Sequence, residues 1–297
     1  MKIIVAGGTG FLGKPLVEAL RARGDDVRVL TRRASAPGEI GWTPDGGVGP
    51  WLASLEGAEA IVNLAGAGIA EKRWTEARKR EIAESRLLAT RSLVAAAGSL
   101  ASPPRVFVSA SAVGYYGSRG DEPVTEAAPP ATDFLGTLGR EWEEAAQPVT
   151  VHGTRLAIVR TGLALAADGG ALAEMRLPFS LGVGGRLGSG RQYMSWIHRD
   201  DWVRLVCFLI DDASAQGPFN ATAPTPVTNA EFTRALGRAL HRPAILPVPA
   251  FALKILFGEL AGPLLLEGQR AVPAKATALG FQFTYTDLDA ALGAVFA

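Results

Sequence analysis

Residues 2–13 read KIIVAGGTGFLG, a short apolar run that breaks into glycines at positions 7, 10 and 13. Lys2 to Ala6 suits a strand buried on both faces, because its apolar residues follow one another without polar alternation. Leu12, Leu16 and Leu20 then recur at helical spacing, and Gly24 marks a stop. Pro15 falls in the first turn of that helix, where its missing N–H does little harm. Strand, glycine turn and helix in this order predict a phosphate-binding unit. Gly7 lets the chain turn sharply, Gly10 lets the backbone approach a pyrophosphate, and Gly13 lets the helix pack closely on the sheet. The helix start offers unpaired N–H groups and partial positive charge. Gly7, Thr9, Gly10, Phe11, Leu12 and Gly13 are therefore the expected lining of a dinucleotide site.

The next strand, Val27 to Thr31, ends in Thr31-Arg32-Arg33, where an NAD site usually places Asp or Glu against the ribose hydroxyls. Two guanidiniums suit a 2′-phosphate, so the expected cofactor is NADP(H), held by Arg32 and Arg33. Further strands are predicted at Ala60–Leu64, Arg105–Ser109 and Val151–Val159. A helical stretch from Trp74 to Ala97 lies between the first two of these, and a helix capped by Asp133 runs to Ala146. This alternation predicts an α/β fold, a Rossmann doubly wound parallel sheet with right-handed crossovers, over residues 1–160. Beyond it comes a glycine-rich stretch to residue 192 with one helix near Ala171 to Phe179. Trp202 to Ile210 reads as a helix within a segment, 199–221, that returns to the large unit. Thr228 and Glu231 form a capping-box pattern ahead of Phe232, Leu236 and Leu240. Residues 161–198 and 222–297 are expected to build a smaller α+β C-terminal substrate lobe.

Composition limits the partners. The 297 residues are 48% hydrophobic and 20% charged with a net charge of +1, so nothing points to nucleic acid or an anionic membrane. No apolar run reaches spanning length, and the first is strand-length rather than a signal peptide. The lone Cys207 excludes an intrachain disulfide and reads as a buried small hydrophobe. The expected location is the cytoplasm. His152, His198 and His241 are scattered, so no metal site is expected. The expected partner is a small-molecule substrate.

GGTGFLG, Arg32, NLAG at 63–66 and SASAVGYYG at 109–117 together resemble the extended short-chain dehydrogenase/reductases. The likeness continues through IHRDD at 197–201 and GPFNATAPTPVTNAEF at 217–232. More narrowly, GSGRQYMSWIHRDD at 188–201, PAFALKILFGELAG at 249–262 and QRAVPAKATALGF at 269–281 are similar to the atypical epimerase-family branch. That branch carries a C-terminal domain of unknown function. The resemblance implies that Leu64, Ala65, Gly66, Ser109, Ala110, Arg160 and Thr161 line the cofactor, and that Ser111 occupies the catalytic serine position.

One part of the superfamily's pattern is missing. Its enzymes use a tyrosine and a lysine four residues later on one helical face, the cation lowering the phenol's pKa. No Tyr-x-x-x-Lys exists here, and no lysine lies between Lys79 and Lys254. The helix that should carry the pair reads DFLGTLGREWEEAA, with Phe134 and Leu138 near the expected places. Tyr116, or Tyr115 beside it, is one candidate replacement; packing is the plainer role for both. The other readings are a reductase in which water or Ser111 handles the proton, and a non-catalytic NADP(H)-binding sensor. Arg186, Arg191 and Gln192 are candidates for binding an anionic substrate. His198 with Asp200 and Asp201 could be a base, but Asp200 reads equally as a helix cap. Trp74 and Trp196 are expected in the core.

Overall fold

The computed structural model describes residues 1–297. Seven strands make the central sheet: β1 (Lys2–Ala6), β2 (Asp26–Thr31), β3 (Glu39–Gly41), β4 (Ala60–Asn63), β5 (Val106–Ala112), β6 (Arg155–Thr161) and β7 (Gly217–Ala221). They run β7-β6-β5-β4-β1-β2-β3 across the sheet, every neighbouring pair parallel. Strand order reverses between β1 and β4, where Ile3 lies between Val27 and Ala60. A crevice at the carboxyl ends of the strands opens at such a reversal.

The unbroken apolar run of β1 has a direct cause. Ile3 and Val5 pack with Leu16 and Leu20 of α1 (Gly13–Ala22), whereas Ile4 and Ala6 face the other side with Ala89, Leu93 and Ala96 of α2 (Glu76–Ser99). Both faces are covered, so neither tolerates a polar residue. Each fully buried Leu or Ile contributes roughly 1.5–3 kcal/mol to folding. The helix α3 (Phe134–Ala146) starts at Asp133, whose Oδ1 accepts from Gly136 N at 2.7 Å. This is the cap that the sequence predicts. The strand expected at Val151–Val159 begins only at Arg155. Pro148 and the left-handed Gly153 shape a 3-10 turn over Gln147–His152 that leaves Val151 exposed.

The later helices are α4 (Gly170–Ser180), α5 (Arg199–Asp211), α6 (Asn229–Ala239), α7 (Ala250–Phe257), α8 (Ala274–Ala278) and α9 (Leu288–Phe296). α5 packs on the α1 face of the sheet through Trp202, Leu205 and Leu209. Leu172, Phe179, Trp196, Phe232, Leu236, Leu288 and Leu292 close a separate apolar cluster. Thr228 and Glu231 make the reciprocal capping box at α6. His198, not Asp200, caps α5: its Nδ1 accepts from Asp200 N at 3.2 Å. Asp201 is fully buried and accepts from Thr284 N, Tyr285 N and Arg204 Nη1 at 2.7–2.9 Å, tying the C-terminal segment to α5. Cys207 is only partly buried at the edge of the core. No helix is long and apolar enough to cross a membrane.

Candidate functional site

The glycine turn sits at the strand-order reversal, and its shape explains its residues. Gly7 has φ +79°, and a Cβ there would lie 2.8 Å from the Leu64 carbonyl carbon at the end of β4. A Cβ at Gly13 would lie 2.1 Å from Gly7 O, so α1 approaches the turn as only glycine permits. At Gly10 the nearest protein atom would be Gly7 O at 3.3 Å, and the residue is exposed, so its open side faces the crevice. Gly8, which the spacing does not single out, is as constrained: its Cβ would meet Val29 and Val17 within 3.0 Å. The N–H groups of Phe11, Leu12 and Gly13 find no acceptor in the chain; the ladder starts at Lys14 N→Gly10 O. Thr9 is exposed beside them. Phe11 turns away, its ring resting on Gly169 and Gly170 with Arg199 above it.

Arg32 and Arg33 are exposed just beyond β2 and make no hydrogen bond or ion pair through their guanidiniums. Arg32 lies within electrostatic reach of Glu81 on α2. Leu64, Ala65 and Gly66 continue from β4, Leu64 and Ala65 against Gly7 and Gly66 against the side chain of Arg86. Arg86 donates from Nη1 to Ala67 O and Ile82 O, both at 3.0 Å, and burial followed by the charge of Arg78 pushes its guanidinium down to about 10.

The residues expected at the reacting centre belong to a buried network beneath the crevice. Ser109 is fully buried, Ala110 partly so, and Ser111 donates to Glu143 Oε1 at 2.7 Å. Arg160 grips the same carboxylate with Nε and Nη2, each at 2.8 Å, and gives Nη1 to Tyr116 Oη at 2.8 Å and Glu126 O at 3.1 Å. Burial alone would lower the Arg160 pKa, but Glu143 and then Tyr116 hold it above its ordinary value. Each nitrogen of Arg160 is thus bonded within the chain, four of its five N–H groups being used. Tyr116 is 0% exposed, donates to Asn220 Oδ1 at 2.7 Å, and is pushed up to about 12 by burial, against the influence of Arg160. Tyr116 and Arg160, expected at the reacting centre, thus lie in the interior and bond one another there. Thr161 likewise accepts from Trp202 Nε1 at 3.1 Å.

The inner face of α3 is shaped around Tyr115. Its inward face carries Leu135, Gly139 and Glu143 at spacings of four. A Cβ at Gly139 would come within 3.2 Å of the Tyr115 ring, which lies 3.7 Å beneath the Arg160 guanidinium. Tyr115 thus fills the space that a side chain at 139 would need. Burial first, and Glu143 to a lesser degree, raise its pKa.

Of the substrate candidates, Arg191 is exposed and Gln192 lines the same cavity of about 290 Å³ with Ser118, Asp121 and Glu267. Gln192 Nε2 donates to Leu187 O and Leu265 O, leaving Oε1 buried without a donor. Arg186 instead bonds Gly188 O at 2.6 Å outside that cavity. Trp74 and Trp196 are buried, their indole N–H groups on Ile69 O and Thr225 O.

A wholly parallel sheet with this strand order, a glycine turn at its reversal and free N–H groups above it define a Rossmann protein of the nucleotide-binding type. Residues 3–134 match the NAD dependent epimerase/dehydratase family, and residues 248–295 match a domain of unknown function, DUF1731. An epimerase family protein of Mycobacterium bovis is 44% identical over 292 residues, covering 98% of this chain and 96% of that one. The crystal structure of human epimerase family protein SDR39U1 with NADPH is 37% identical with a TM-score of 0.93, covering 100% of this chain and 99% of that one. UDP-N-acetylglucosamine 4-epimerase of Bacillus cereus, at 17% identity and TM-score 0.77 over 100% of this chain and 98% of that one, shares the fold. The chain belongs to the epimerase family, and its own sequence joins this Rossmann unit to a C-terminal DUF1731 domain.

Proposed function

We propose that this protein binds NADP(H) and acts as an oxidoreductase or epimerase-like enzyme on a small molecule that enters between the crevice and the C-terminal segments. The observation that carries the reading is the pairing of a turn with three free N–H groups and two unpaired guanidiniums at the end of β2. These features fit the group. The N–H groups of residues 11–13 and the α1 dipole hold a pyrophosphate. Arg32 and Arg33 hold a 2′-phosphate, as a ribose hydroxyl would leave both charges unused. The NADPH in the human relative's crystal structure supports the same choice. Bound there, a reduced nicotinamide supplies a hydride. Ser111 lies near the end of β5, buried beneath the crevice with its proton donated to Glu143, which leaves its Oγ lone pairs as acceptors for a substrate hydroxyl that reaches the end of that strand.

A second reading has its own support. Tyr116 is sealed and committed to Asn220 and Arg160, which favours a non-catalytic NADP(H)-binding sensor. NADPH consumption over a panel of small carbonyl compounds separates the two, with Ser111→Ala slowing turnover if Ser111 orients substrate. NADPH is expected to bind more tightly than NADH, and Arg32→Ala with Arg33→Ala to abolish the difference. Equal affinities in the unaltered protein defeat the NADP(H) assignment.

A further inference from the structure

Exposed apolar side chains are unevenly spread over this molecule. Of the ten large ones, eight lie in two segments, 177–183 and 245–256. Those segments adjoin: Arg242 Nε donates to Ser180 O at 3.2 Å, Val248 N donates to Arg186 O at 2.9 Å, and a Cβ at Gly185 would lie 1.6 Å from Leu246 O. The first segment belongs to α4 and the turn after it. Leu172 and Phe179 of α4 face inward and help close the C-terminal apolar cluster, while Leu177 is 66% exposed and Leu181, at the helix end, 69%. A helix apolar on both faces is ordinarily covered on both. Across the junction Ile245 is 79% exposed.

Charge on this face is one-sided. Residues 175–199 and 232–258 carry seven arginines and a lysine and no Asp or Glu, in a chain whose 30 basic residues are nearly matched by 29 acidic ones. A net charge of +1 conceals this local excess. Between α6 and the turn that follows it, a recess of about 280 Å³ is lined by Arg234, Gly237, Arg238, Arg242, Ala244 and Ile245. A Cβ at Gly237 would stand 2.8 Å from Ala244 Cβ, so the turn closes tightly on the helix. Asp289 answers Arg238, and the Glu231 carboxylate is taken up by the α6 capping box. Arg234 is exposed with no hydrogen-bonded or ion-paired partner, and Arg242 uses Nε and Nη1 on carbonyls only. An exposed apolar patch rimmed by unanswered cations marks an interaction site.

We propose that this face docks a partner protein through an acidic segment that bears a large apolar side chain. The apolar side chain enters the recess beside Ile245, and its flanking carboxylates meet Arg234 and the free Nη2 of Arg242. Charge complementarity selects this occupant. A second copy placed on the face by a two-fold axis would set arginine against arginine, which repels. A bilayer surface is flat and leaves a recess walled by α6 unfilled, whereas a protruding side chain fills it.

The probe is a peptide selected from a random display library on the immobilised full chain, then labelled and measured by fluorescence anisotropy. Enrichment is expected in Asp and Glu together with Leu, Phe or Trp, with affinity falling as salt is raised. Arg234→Glu, Leu177→Ser and Ile245→Ser are each expected to weaken binding about tenfold or more, with melting temperature unaltered because all three side chains are exposed. No enrichment, peptides without acidic residues, or affinity unchanged in all three variants overturns the proposal. Two measurements on the unaltered protein test the other occupants. Dimerisation in sedimentation velocity that Ile245→Ser abolishes gives the face to a second copy. Flotation with phosphatidylglycerol vesicles that Arg234→Glu and Ile245→Ser abolish gives it to a membrane. Either result overturns the partner-protein assignment, and a monomer that does not float supports it.

Discussion

Replacing Glu143 by Gln tests whether the network under the crevice holds the fold. The side chain is nearly the same size, so packing is kept and the charge is lost. Three donors now converge on the carboxylate: Arg160 Nε and Nη2 at 2.8 Å each and Ser111 Oγ at 2.7 Å. A glutamine has one acceptor oxygen, and its NH₂ faces at least one of those donors. Arg160, only 3% exposed, is left without its counter-charge. Breaking a buried pair from one side costs about 3–5 kcal/mol, against a net stability on the order of 5–15 kcal/mol. The control is Glu144→Gln on the same helix, an exposed residue whose i,i+4 pair with Arg140 contributes roughly 0.3–0.5 kcal/mol. Urea unfolding followed by tryptophan fluorescence reads both as a shift in midpoint at constant slope. Glu143→Met combined with Arg160→Met is expected to cost less than the sum of the single changes, because no charge is then stranded. A loss below about 1 kcal/mol for Glu143→Gln, or strict additivity of the pair, refutes the reasoning.

Three further outcomes follow from local geometry. Gly13→Ala forces a methyl to within 2.1 Å of Gly7 O, so the turn must open, and calorimetry is expected to register loss of NADPH binding from a chain whose circular dichroism is retained. His198 is held below its ordinary pKa chiefly by burial, and its Nδ1 must stay unprotonated to cap α5. The unfolded chain therefore takes up the proton first as pH falls through about 6.5, and stability falls with it. His198→Asn keeps a capping acceptor and is expected to flatten that part of a melting-temperature profile between pH 7 and 5; an unchanged slope contradicts the assignment. Asp201→Ala strands the N–H groups of Thr284 and Tyr285, and hydrogen exchange at those two amides should rise while β1 and β4 stay protected.

Much of this molecule is legible along the chain because its causes are local. The glycines of the first turn, the Asp133 cap and the Thr228–Glu231 box each act within a few residues, so their spacing carries the information. Periodicity also exposes the apolar run of β1. Boundaries set by competition are less readable. Arg155 rather than Val151 opens β6, because Pro148 and Gly153 build a turn that apolarity alone does not reveal. His198 rather than Asp200 caps α5, because the helix opens at Arg199 and so takes Asp200 into its first turn.

Sequence alone determined the parallel nucleotide-binding sheet, the place of its phosphate turn and the absence of a tyrosine–lysine pair, since each is a statement about residue order over short spans. Tertiary structure alone decided what fills the ground beneath the crevice. Tyr116 meets Asn220 across 104 residues, and Glu143 joins Ser111 across 32, contacts that exist only once β5, β6, β7 and α3 have come together. Periodicity could have placed Glu143 on the inward face of α3, four residues beyond Gly139, but not named its partners. Whether a buried charge is answered depends on every group the fold brings near it, and burial makes that answer energetically decisive.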